Sequence, residues 1–289
     1  EATVRVVSSP NSSPDFSNGG GGGSPVEEEP TEEEPQQPQQ PQQPVSLTAL
    51  QMGSDGDDRL VGDDGNNPIV GMGGNDRVAG GIGRDWLGGN LGDDLLLGEA
   101  GDDSLYGGRD NDSLLGNEGK DSINGNLGND ISNGNLDDDS LWGGSGDDSI
   151  YGGRENDWLQ GDTGSDRISG DLGNDTLVGV DPEAEQPGLG ERDVLEGKDG
   201  SDRFVLADET QVYYDNGDPN SSGFEDFAAI VDWQTNQDTI VLQGGPQNYQ
   251  LVPNSEGGVL LLHQNELIAT INGEEVDNLT LQNNTFVFQ

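Results

Sequence analysis

Apolar residues recur every nine positions along the middle of the chain. From Gly53 to Val178 the sequence divides into fourteen nine-residue units without an insertion, and two more units begin at Gly188 and Gly197. The eighth residue of every unit is Leu, Ile, Val or Phe, apart from Ser132. Positions 7–9 are long enough for a short strand in which the eighth side chain points inward and its neighbours outward. The pattern therefore predicts a stack of short strands in which two units form one coil.

The polar residues of the unit keep the same phase. Position 1 is Gly in all sixteen units, position 4 is Gly in twelve, and position 6 is Asp in all but one, where Asn67 stands instead. We expect the glycines at positions 1 and 4 to form a tight turn with backbone φ values that side chains disfavour. Because unit n stacks on unit n+2, each Asp lies above another Asp at a spacing of about 4.8 Å.

The chain changes character after residue 205. Glycines become fewer, and short alternating runs are separated by Asn, Gly and Pro, which predicts a small antiparallel β module over residues 206–289. The runs are Phe224–Trp233, Thr239–Gln243, Gly258–His263, Leu267–Ile271 and Thr285–Phe288.

The first 52 residues are of low complexity and form an N-terminal arm and linker. Glu1–Ser9 is a weak strand candidate, Asn11–Ser24 reads as a flexible linker, and Pro25–Pro44 is an acidic, then Pro/Gln-rich, spacer. The lack of an initiator Met and of an apolar signal region indicates a processed or trimmed chain. The predicted domains are thus residues 1–52, a repeat domain over 53–205 that is interrupted at 179–187, and the C-terminal module over 206–289.

Charge changes this picture, because 57 Asp and Glu oppose 11 Lys and Arg for a formal charge of −46. Such a charge at a mean hydropathy of −0.73 is typical of a chain that stays unfolded unless its carboxylates are neutralised. Nucleic acid is excluded as a partner, and no apolar run is long enough to span a membrane. With no Cys and one His, thiolate and multi-histidine metal sites are also excluded.

Stacked Asp residues and turn carbonyls offer only oxygen ligands. Ca²⁺ accepts six to eight oxygens in flexible geometry, whereas Mg²⁺ requires a strict octahedron and keeps its waters. We expect about 12–14 calcium ions in the repeats, and we expect folding and calcium binding to be one event.

The pattern G-G-x-G-x-D-x-U-x, where U is a large apolar residue, resembles the RTX (hemolysin-type) calcium-binding repeat over residues 53–205. The resemblance implies an all-β, right-handed parallel β-roll, calcium between successive turns, and a secreted bacterial protein that folds in extracellular calcium. Asn67 departs from the pattern, which puts its own site in doubt. The resemblance implies as metal ligands Asp58, Asp76, Asp85, Asp94, Asp103, Asp112, Asp121, Asp130, Asp139, Asp148, Asp157, Asp166, Asp175, Asp193 and Asp202.

A second stretch, IVDWQTNQDTIVL over Ile230–Leu242, resembles I-x-D-F-x-x-G-x-D-x-I-x-L, which follows the rolls of RTX exoproteins. Trp233 and Asn236 replace the Phe and Gly of that pattern. The resemblance implies that the C-terminal module caps the open end of the roll and carries secretion information. A cap is also expected because an unpaired terminal coil is an aggregation edge.

Outward positions of the repeats carry apolar residues that a roll does not need. If odd and even units form opposite faces, one face carries Leu95, Leu97, Leu115, Ile131 and Tyr151, and the other carries Val70, Trp86, Tyr106, Trp142 and Trp158. Contiguous exposed apolar residues usually mark contacts, so we predict self-association or partner binding here. The alternative is that the linker or the C-terminal module covers them. The N-terminal arm could add a strand to a neighbouring molecule, or be a tail or spacer.

These features favour a secreted, non-enzymatic, calcium-folded β-roll, cofactor Ca²⁺, which serves as a structural subunit of a filament, sheath or surface layer. The alternative is the C-terminal secretion and folding module of a larger exported enzyme or toxin. His263 is expected to be an ordinary strand-end residue, because no Ser or Cys partner motif for a catalytic histidine is evident.

Overall fold

The computed structural model describes residues 49–216, 226–276, 279–281 and 285–289, all within one compact unit. The N-terminal strand candidate, the linker and the Pro-rich spacer lie outside the described residues. No helix in the described ranges is long and apolar enough to cross a membrane.

The described residues form strands and one short 3-10 helix, Pro246–Asn248. The strands that precede the C-terminal part are β1 (Gln51–Met52), β2 (Arg59–Val61), β3 (Pro68–Gly73), β4 (Arg77–Ile82), β5 (Trp86–Leu91), β6 (Leu95–Ala100), β7 (Ser104–Arg109), β8 (Ser113–Glu118), β9 (Ser122–Leu127), β10 (Ile131–Leu136), β11 (Ser140–Ser145), β12 (Ser149–Arg154), β13 (Trp158–Thr163), β14 (Arg167–Leu172), β15 (Thr176–Val178), β16 (Arg192–Glu196) and β17 (Arg203–Val205). Those of the C-terminal part are β18 (Phe227–Gln234), β19 (Thr239–Leu242), β20 (Tyr249–Pro253), β21 (Val259–His263), β22 (Glu266–Glu274) and β23 (Phe286–Phe288).

Odd and even strands of the repeats belong to two different sheets. The odd strands build an 11-stranded sheet and the even strands a 12-stranded sheet, and neighbours in the repeat region are parallel. Partners lie one coil apart, as where Leu87 pairs with Leu105 and Leu96 with Leu114. The chain is therefore a parallel β-solenoid of about seven turns, and the predicted all-β roll is confirmed.

Each full repeat strand spans positions 7–9 of one unit and 1–3 of the next, which is longer than the predicted three residues. Only the position-8 side chain supplies a large inward apolar group, and these side chains stack into two ladders with almost no exposure, for example Leu105 and Ile123 in one and Leu96 and Leu114 in the other. Each repeat strand thus contributes one large apolar side chain to the core, and glycine backbone fills the remaining interior space.

Ser132 interrupts one of these ladders. Ile131 does not turn inward in its place, since Ile131 is 54% exposed and Ser132 is 1% exposed. Ser132 keeps the ladder register between Leu114 and Ile150, and its hydroxyl has no hydrogen-bond partner among the described residues. The strand therefore tolerates a buried, unsatisfied hydroxyl rather than shifting its register.

The C-terminal part continues both sheets. Strands β18 and β22 extend the 12-stranded sheet in parallel, and β19 and β23 extend the 11-stranded sheet in parallel. Antiparallel pairing, which the sequence predicted for the whole module, occurs between β20 and β21 and between β21 and β22. This part is a mixed sheet, and its parallel strands carry the solenoid core onward through Ile230, Ile240 and Phe286.

The interruption at residues 179–187 leaves the coil register intact. Gly179 stacks on Gly161 as the first residue of a unit, and the sixth residue of that unit is Asp193. The nine extra residues lie within the turn, where Gln211 donates from its side-chain nitrogen to the carbonyl oxygen of Pro182 at 3.0 Å. The insertion is therefore a long turn of one unit rather than a break between two rolls.

Ser132→Val is expected to stabilise the calcium-loaded protein by about 1–2 kcal/mol, because it removes an unsatisfied hydroxyl and fills the ladder with a methyl group. Thermal unfolding in calcium measures the change. The control is Ser140→Val, which places the same change on the outer face. Equal effects of the two substitutions would contradict the assignment of Ser132 as a core defect.

Candidate metal centre

Two rows of position-6 residues run along the turns. Apart from Asp58, the Oδ1 atom of each Asp accepts a hydrogen bond from the backbone N–H of the position-6 residue one coil earlier, at 2.7 Å between Asp76 and Asp94 and 3.1 Å between Asp202 and Asp238. One row consists of Asp58, Asp76, Asp94, Asp112, Asp130, Asp148, Asp166 and Asp193. The other consists of Asn67, Asp85, Asp103, Asp121, Asp139, Asp157, Asp175, Asp202 and Asp238.

The second carboxylate oxygen, Oδ2, is the unusual atom of these rows. In thirteen residues it is buried, and no hydrogen-bond donor of the described chain reaches it: Asp76, Asp85, Asp94, Asp103, Asp112, Asp121, Asp130, Asp139, Asp148, Asp157, Asp166, Asp175 and Asp202. A buried charged oxygen without a partner costs several kcal/mol of stability. The rows therefore require a positive or hydrogen-bond-donating group, and the described polypeptide does not supply one.

Position-1 glycines bring backbone against these oxygens. A Cβ atom on Gly71 would lie 2.2 Å from Asp76 Oδ2 and 2.9 Å from the carbonyl oxygen of Gly89. Position 1 is therefore glycine because of this close approach and not, as the sequence suggested, because of its φ. Positive φ occurs instead at position 4, as at Gly74 (+98°), and at position 2, as at Asn90 (+84°). The Gly, Asn and Asp residues common at position 2 follow from that conformation.

Position 5 carries a second ladder that the sequence analysis missed. Its Asn and Asp side chains accept hydrogen bonds from the backbone N–H of the next coil, the opposite direction to position 6, as where Asn129 donates to Asn111 Oδ1 at 2.9 Å. The signal was the frequency of Asn and Asp at position 5. Where a basic residue replaces Asn or Asp at position 5, it forms an ion pair along the same row. Arg84 pairs with Asp102 at 2.6 Å, and Lys120 pairs with Asp138 at 2.5 Å.

Asn67 reveals the polar environment of a turn. Its side-chain nitrogen donates to the carbonyl oxygens of Asp63 and Gly65 and lies 3.3 Å from Asp85 Oδ1. The turn thus surrounds one point with backbone and carboxylate oxygens only. No three carboxylate or imidazole side chains of the described residues converge as a metal-binding group, and the carbonyl oxygens of Asp63 and Gly65 are the other oxygens at this point. Oxygen-only surroundings of this kind fit Ca²⁺.

Burial raises the pKa of the Asp carboxyls in the rows. The pKa rises to about 8 for Asp139 and to about 9 for Asp166, because burial disfavours the charged form and neighbouring carboxylates add to the effect. The hydrogen bond from the preceding coil opposes these shifts only in part. At Asp58 the balance is reversed, since the Ser54 N–H and hydroxyl hold its pKa below the usual value.

Not all predicted ligands share the same surroundings. Asp58 Oδ2 accepts from Ser54, and Asp193 Oδ2 accepts from the Tyr214 hydroxyl at 2.5 Å. Asp238, which the sequence analysis quoted but did not assign, continues the second row after Asp202. The sequence signal for Asp238 was the D-x-I-x-L stretch, which repeats positions 6–8 of the unit.

His263 lies at the end of β21, as expected. Its Nδ1 contacts Asp215 Oδ2, and its ring centroid is 5.0 Å from that of Tyr249. These contacts place it in the packing of the C-terminal part.

The fold and the Asp rows define a parallel β-solenoid with oxygen-lined turns. Residues 52–179 match the family model of the RTX calcium-binding nonapeptide repeat (4 copies), in the segments 52–87, 88–123, 109–141, 124–159 and 151–179. No curated protein matches the chain. The repeats over residues 52–179 are thus RTX calcium-binding repeats in a β-roll, and they bind multiple Ca²⁺ ions, as the sequence predicted.

In a calcium chelator, the β-structure of the chain should increase as the pH falls from 8 to 5.5. The pKa of the buried Asp carboxyls is raised in the folded state above the unfolded value of about 3.9, so the folded chain binds more protons over this range. Its stability therefore falls as the pH rises. Far-UV circular dichroism measures the change, with saturating calcium as the control, in which the signal should stay constant between pH 6 and 8. A chelator signal that grows towards pH 8 would contradict the burial of these carboxylates.

Proposed function

We propose that the thirteen position-6 Asp residues with an unpartnered Oδ2 hold calcium between successive coils. The observation that carries the proposal is the burial of those oxygens without a hydrogen-bond donor among the described residues. The turn carbonyls that surround the Asn67 amide supply further ligands at the equivalent points of the other turns. One ion for each such oxygen gives thirteen ions, which lies within the 12–14 expected from the repeats.

Calcium binding and folding are one event in this proposal. Without the ion, the folded state must bury two rows of carboxylates, and the −46 charge opposes compaction. Thirteen divalent ions would reduce that charge to about −20 and satisfy the buried oxygens. The coils that carry these thirteen residues are therefore unfolded at low calcium and form the roll at high calcium.

The test removes charge from three consecutive residues of one row by Asp121→Asn, Asp139→Asn and Asp157→Asn. The triple variant should need about tenfold or more calcium to fold, because calcium affinity depends on the number of charged ligands. In chelator it should keep more β-structure than the unsubstituted chain, because neutral amides cost less to bury. Calcium titrations followed by circular dichroism measure both effects.

The matched control is Asp93→Asn with Asp147→Asn. These exposed position-5 residues accept backbone hydrogen bonds through Oδ1, which Asn retains, so the control removes charge outside the position-6 rows. We expect a small change in its calcium requirement. β-Structure that is unaffected by chelation in the unsubstituted protein would refute the coupling of folding to calcium.

We further propose that the protein is a secreted, non-enzymatic structural subunit that self-associates through its outer faces. RTX repeats are typical of exported bacterial proteins, and the repeat family is typically non-catalytic. On the 11-stranded sheet, Trp86 is 44% and Trp158 is 41% exposed, and the Trp86 and Tyr106 rings are 5.8 Å apart. Both residue sets predicted from the nine-residue phase lie on the expected sheets.

Uncharged residues occupy the outward positions between these aromatic rings. Between Trp86 and Trp158 the outward positions 7 and 9 of the 11-stranded sheet carry Ser104, Tyr106, Ser122, Asn124, Ser140 and Trp142, with no acid among them. On a strongly acidic chain, copies repel least where such a neutral strip meets its counterpart. Apolar residues on the other sheet, such as Leu95, Leu97 and Tyr151, offer a second, less exposed surface. The N-terminal arm as a donated strand lies outside the described residues and belongs to the same proposal.

Trp86→Ser, Trp142→Ser and Trp158→Ser together should abolish self-association in calcium, because they remove most of the aromatic area of the neutral strip. Analytical ultracentrifugation and electron microscopy measure the outcome. The control replaces Ser104, Ser122 and Ser140 by Ala on the same face and should assemble normally. Unchanged sedimentation of the Trp variant would contradict the assembly proposal but not the proposal of calcium binding.

The alternative function is a calcium-triggered secretion and folding module of a larger exported enzyme or toxin. It is supported by Ile230–Leu242, which resembles the stretch after RTX exoprotein rolls and provides the parallel strands β18 and β19. The full-length reading frame distinguishes the two, since a large upstream catalytic domain would favour the module.

A further inference from the structure

The terminal residues of both position-6 rows share one feature, a hydrogen bond within the chain at the Oδ2 position that the inner residues lack. The first and last residues of one row are Asp58 and Asp193, and those of the other are Asn67 and Asp238. In all four the side-chain atom equivalent to Oδ2 has a hydrogen-bond partner within the chain. The thirteen residues between these ends have none among the described residues.

At the N-terminal end, two different donors act. Ser54 donates to Asp58 Oδ2 from its backbone nitrogen at 2.6 Å and from its hydroxyl at 2.8 Å. In the neighbouring row the Asn67 amide nitrogen itself replaces the oxygen and donates to carbonyl oxygens of its own turn. The N–H hydrogens of this amide place a partial positive charge at the point that the oxygens surround.

At the C-terminal end, the donors come from outside the nine-residue pattern. The Tyr214 hydroxyl donates to Asp193 Oδ2 at 2.5 Å, and Tyr214 is fully buried. The backbone N–H of Gln234 donates to Asp238 Oδ2 at 2.7 Å. A Cβ on Gly179 would lie 2.0 Å from the Tyr214 hydroxyl oxygen, so the tyrosine occupies the space beside the position-1 glycine of that unit.

The long turn makes room for this tyrosine. Its backbone N–H donates to the Pro187 carbonyl oxygen at 2.9 Å, and a Cβ on Gly188 would lie 2.6 Å from its ring. Pro187 and Gly188 of the long turn thus contact Tyr214. The insertion coincides with the end of the Asp58–Asp193 row.

We propose that Ser54, Asn67, Tyr214 and Gln234 terminate the two calcium arrays by taking the place of the ion at the four ends. The inference rests on the proposed role of the thirteen inner Asp residues as calcium ligands. At three ends a hydrogen-bond donor satisfies the terminal carboxylate, and at the fourth the Asn67 amide replaces the carboxylate. Neither arrangement needs a metal, so the ends of the roll hold together in the absence of calcium. The inner coils depend on calcium because no such donor reaches them.

The test counts bound calcium by equilibrium dialysis and isothermal titration calorimetry on the full chain. The unsubstituted protein should bind about thirteen ions, one for each buried unpartnered Oδ2 atom of the two rows. Asn67→Asp and Tyr214→Phe should each add one ion, because the first restores the repeat residue and the second removes the competing donor. In chelator, both variants should show less β-structure than the unsubstituted protein.

Two matched controls accompany these variants. Asn66→Asp adds the same charge to the same turn at position 5, and Tyr213→Phe removes the hydroxyl of the adjacent buried tyrosine, which contacts Asp208 rather than the row. Neither should change the number of bound ions.

The outcomes separate the two proposals. Little or no calcium bound by the unsubstituted protein would overturn the ligand assignment itself. About thirteen ions with no gain in Asn67→Asp and Tyr214→Phe would overturn only the termination proposal, as would about seventeen ions in the unsubstituted protein. A variant that stays unfolded even in saturating calcium would also count against termination, because an added ion should replace the lost donor.

Discussion

A carboxylate oxygen that is buried between two coils, and that no described donor reaches, is the interaction on which the roll depends. It occurs thirteen times in two straight rows. Leaving even a few such charges unpaired costs several kcal/mol each, which approaches the whole net stability of a typical domain of about 5–15 kcal/mol. The core cannot compensate, because each repeat strand contributes one large apolar side chain. On the proposed ligand assignment, the cation is therefore part of the fold and not an addition to a finished structure.

The backbone of each turn is arranged around that oxygen. Position-6 side chains accept the N–H of the coil before them, and position-5 side chains accept the N–H of the coil after them, as Asp94 and Asn111 illustrate. Every inner turn is thus joined to both neighbours by side chains as well as by strand pairing. Position-1 glycines such as Gly71 let the chain approach the carboxylate closely.

Much of this architecture could be predicted from the nine-residue period. The position-8 ladders, the two rows of Asp and the distribution of Trp86 and Leu97 on opposite sheets all follow from counting in nines and alternating by two. Strand direction in the C-terminal part could not be predicted, because parallel and antiparallel strands share the same alternation. β20 was missed because Gln250 and Pro253 weaken its strand pattern.

Contacts between residues at irregular sequence separations could not be predicted either. Tyr214 meets Asp193 over 21 residues, which is no multiple of nine, and Asp238 follows Asp202 at 36 residues, twice the usual coil length of 18. The steric reason for Gly71 was hidden as well, because glycine is compatible both with unusual φ and with close approach. The sequence indicates that position 1 requires glycine, and only the neighbouring atoms show the reason.

The ion pairs of position 5 have a consequence for folding accuracy. Successive coils are so alike that a chain could loop out one coil and stack the next in its place, since an Asp would still meet a backbone N–H. Looping out the coil of Asp102 would bring Arg84 beside Lys120, and looping out the coil of Lys120 would bring Asp102 beside Asp138. Exposed ion pairs contribute at most about 1 kcal/mol to stability. Here their alternation fixes the order of these otherwise interchangeable coils, because like charges meet when either of these two coils is skipped.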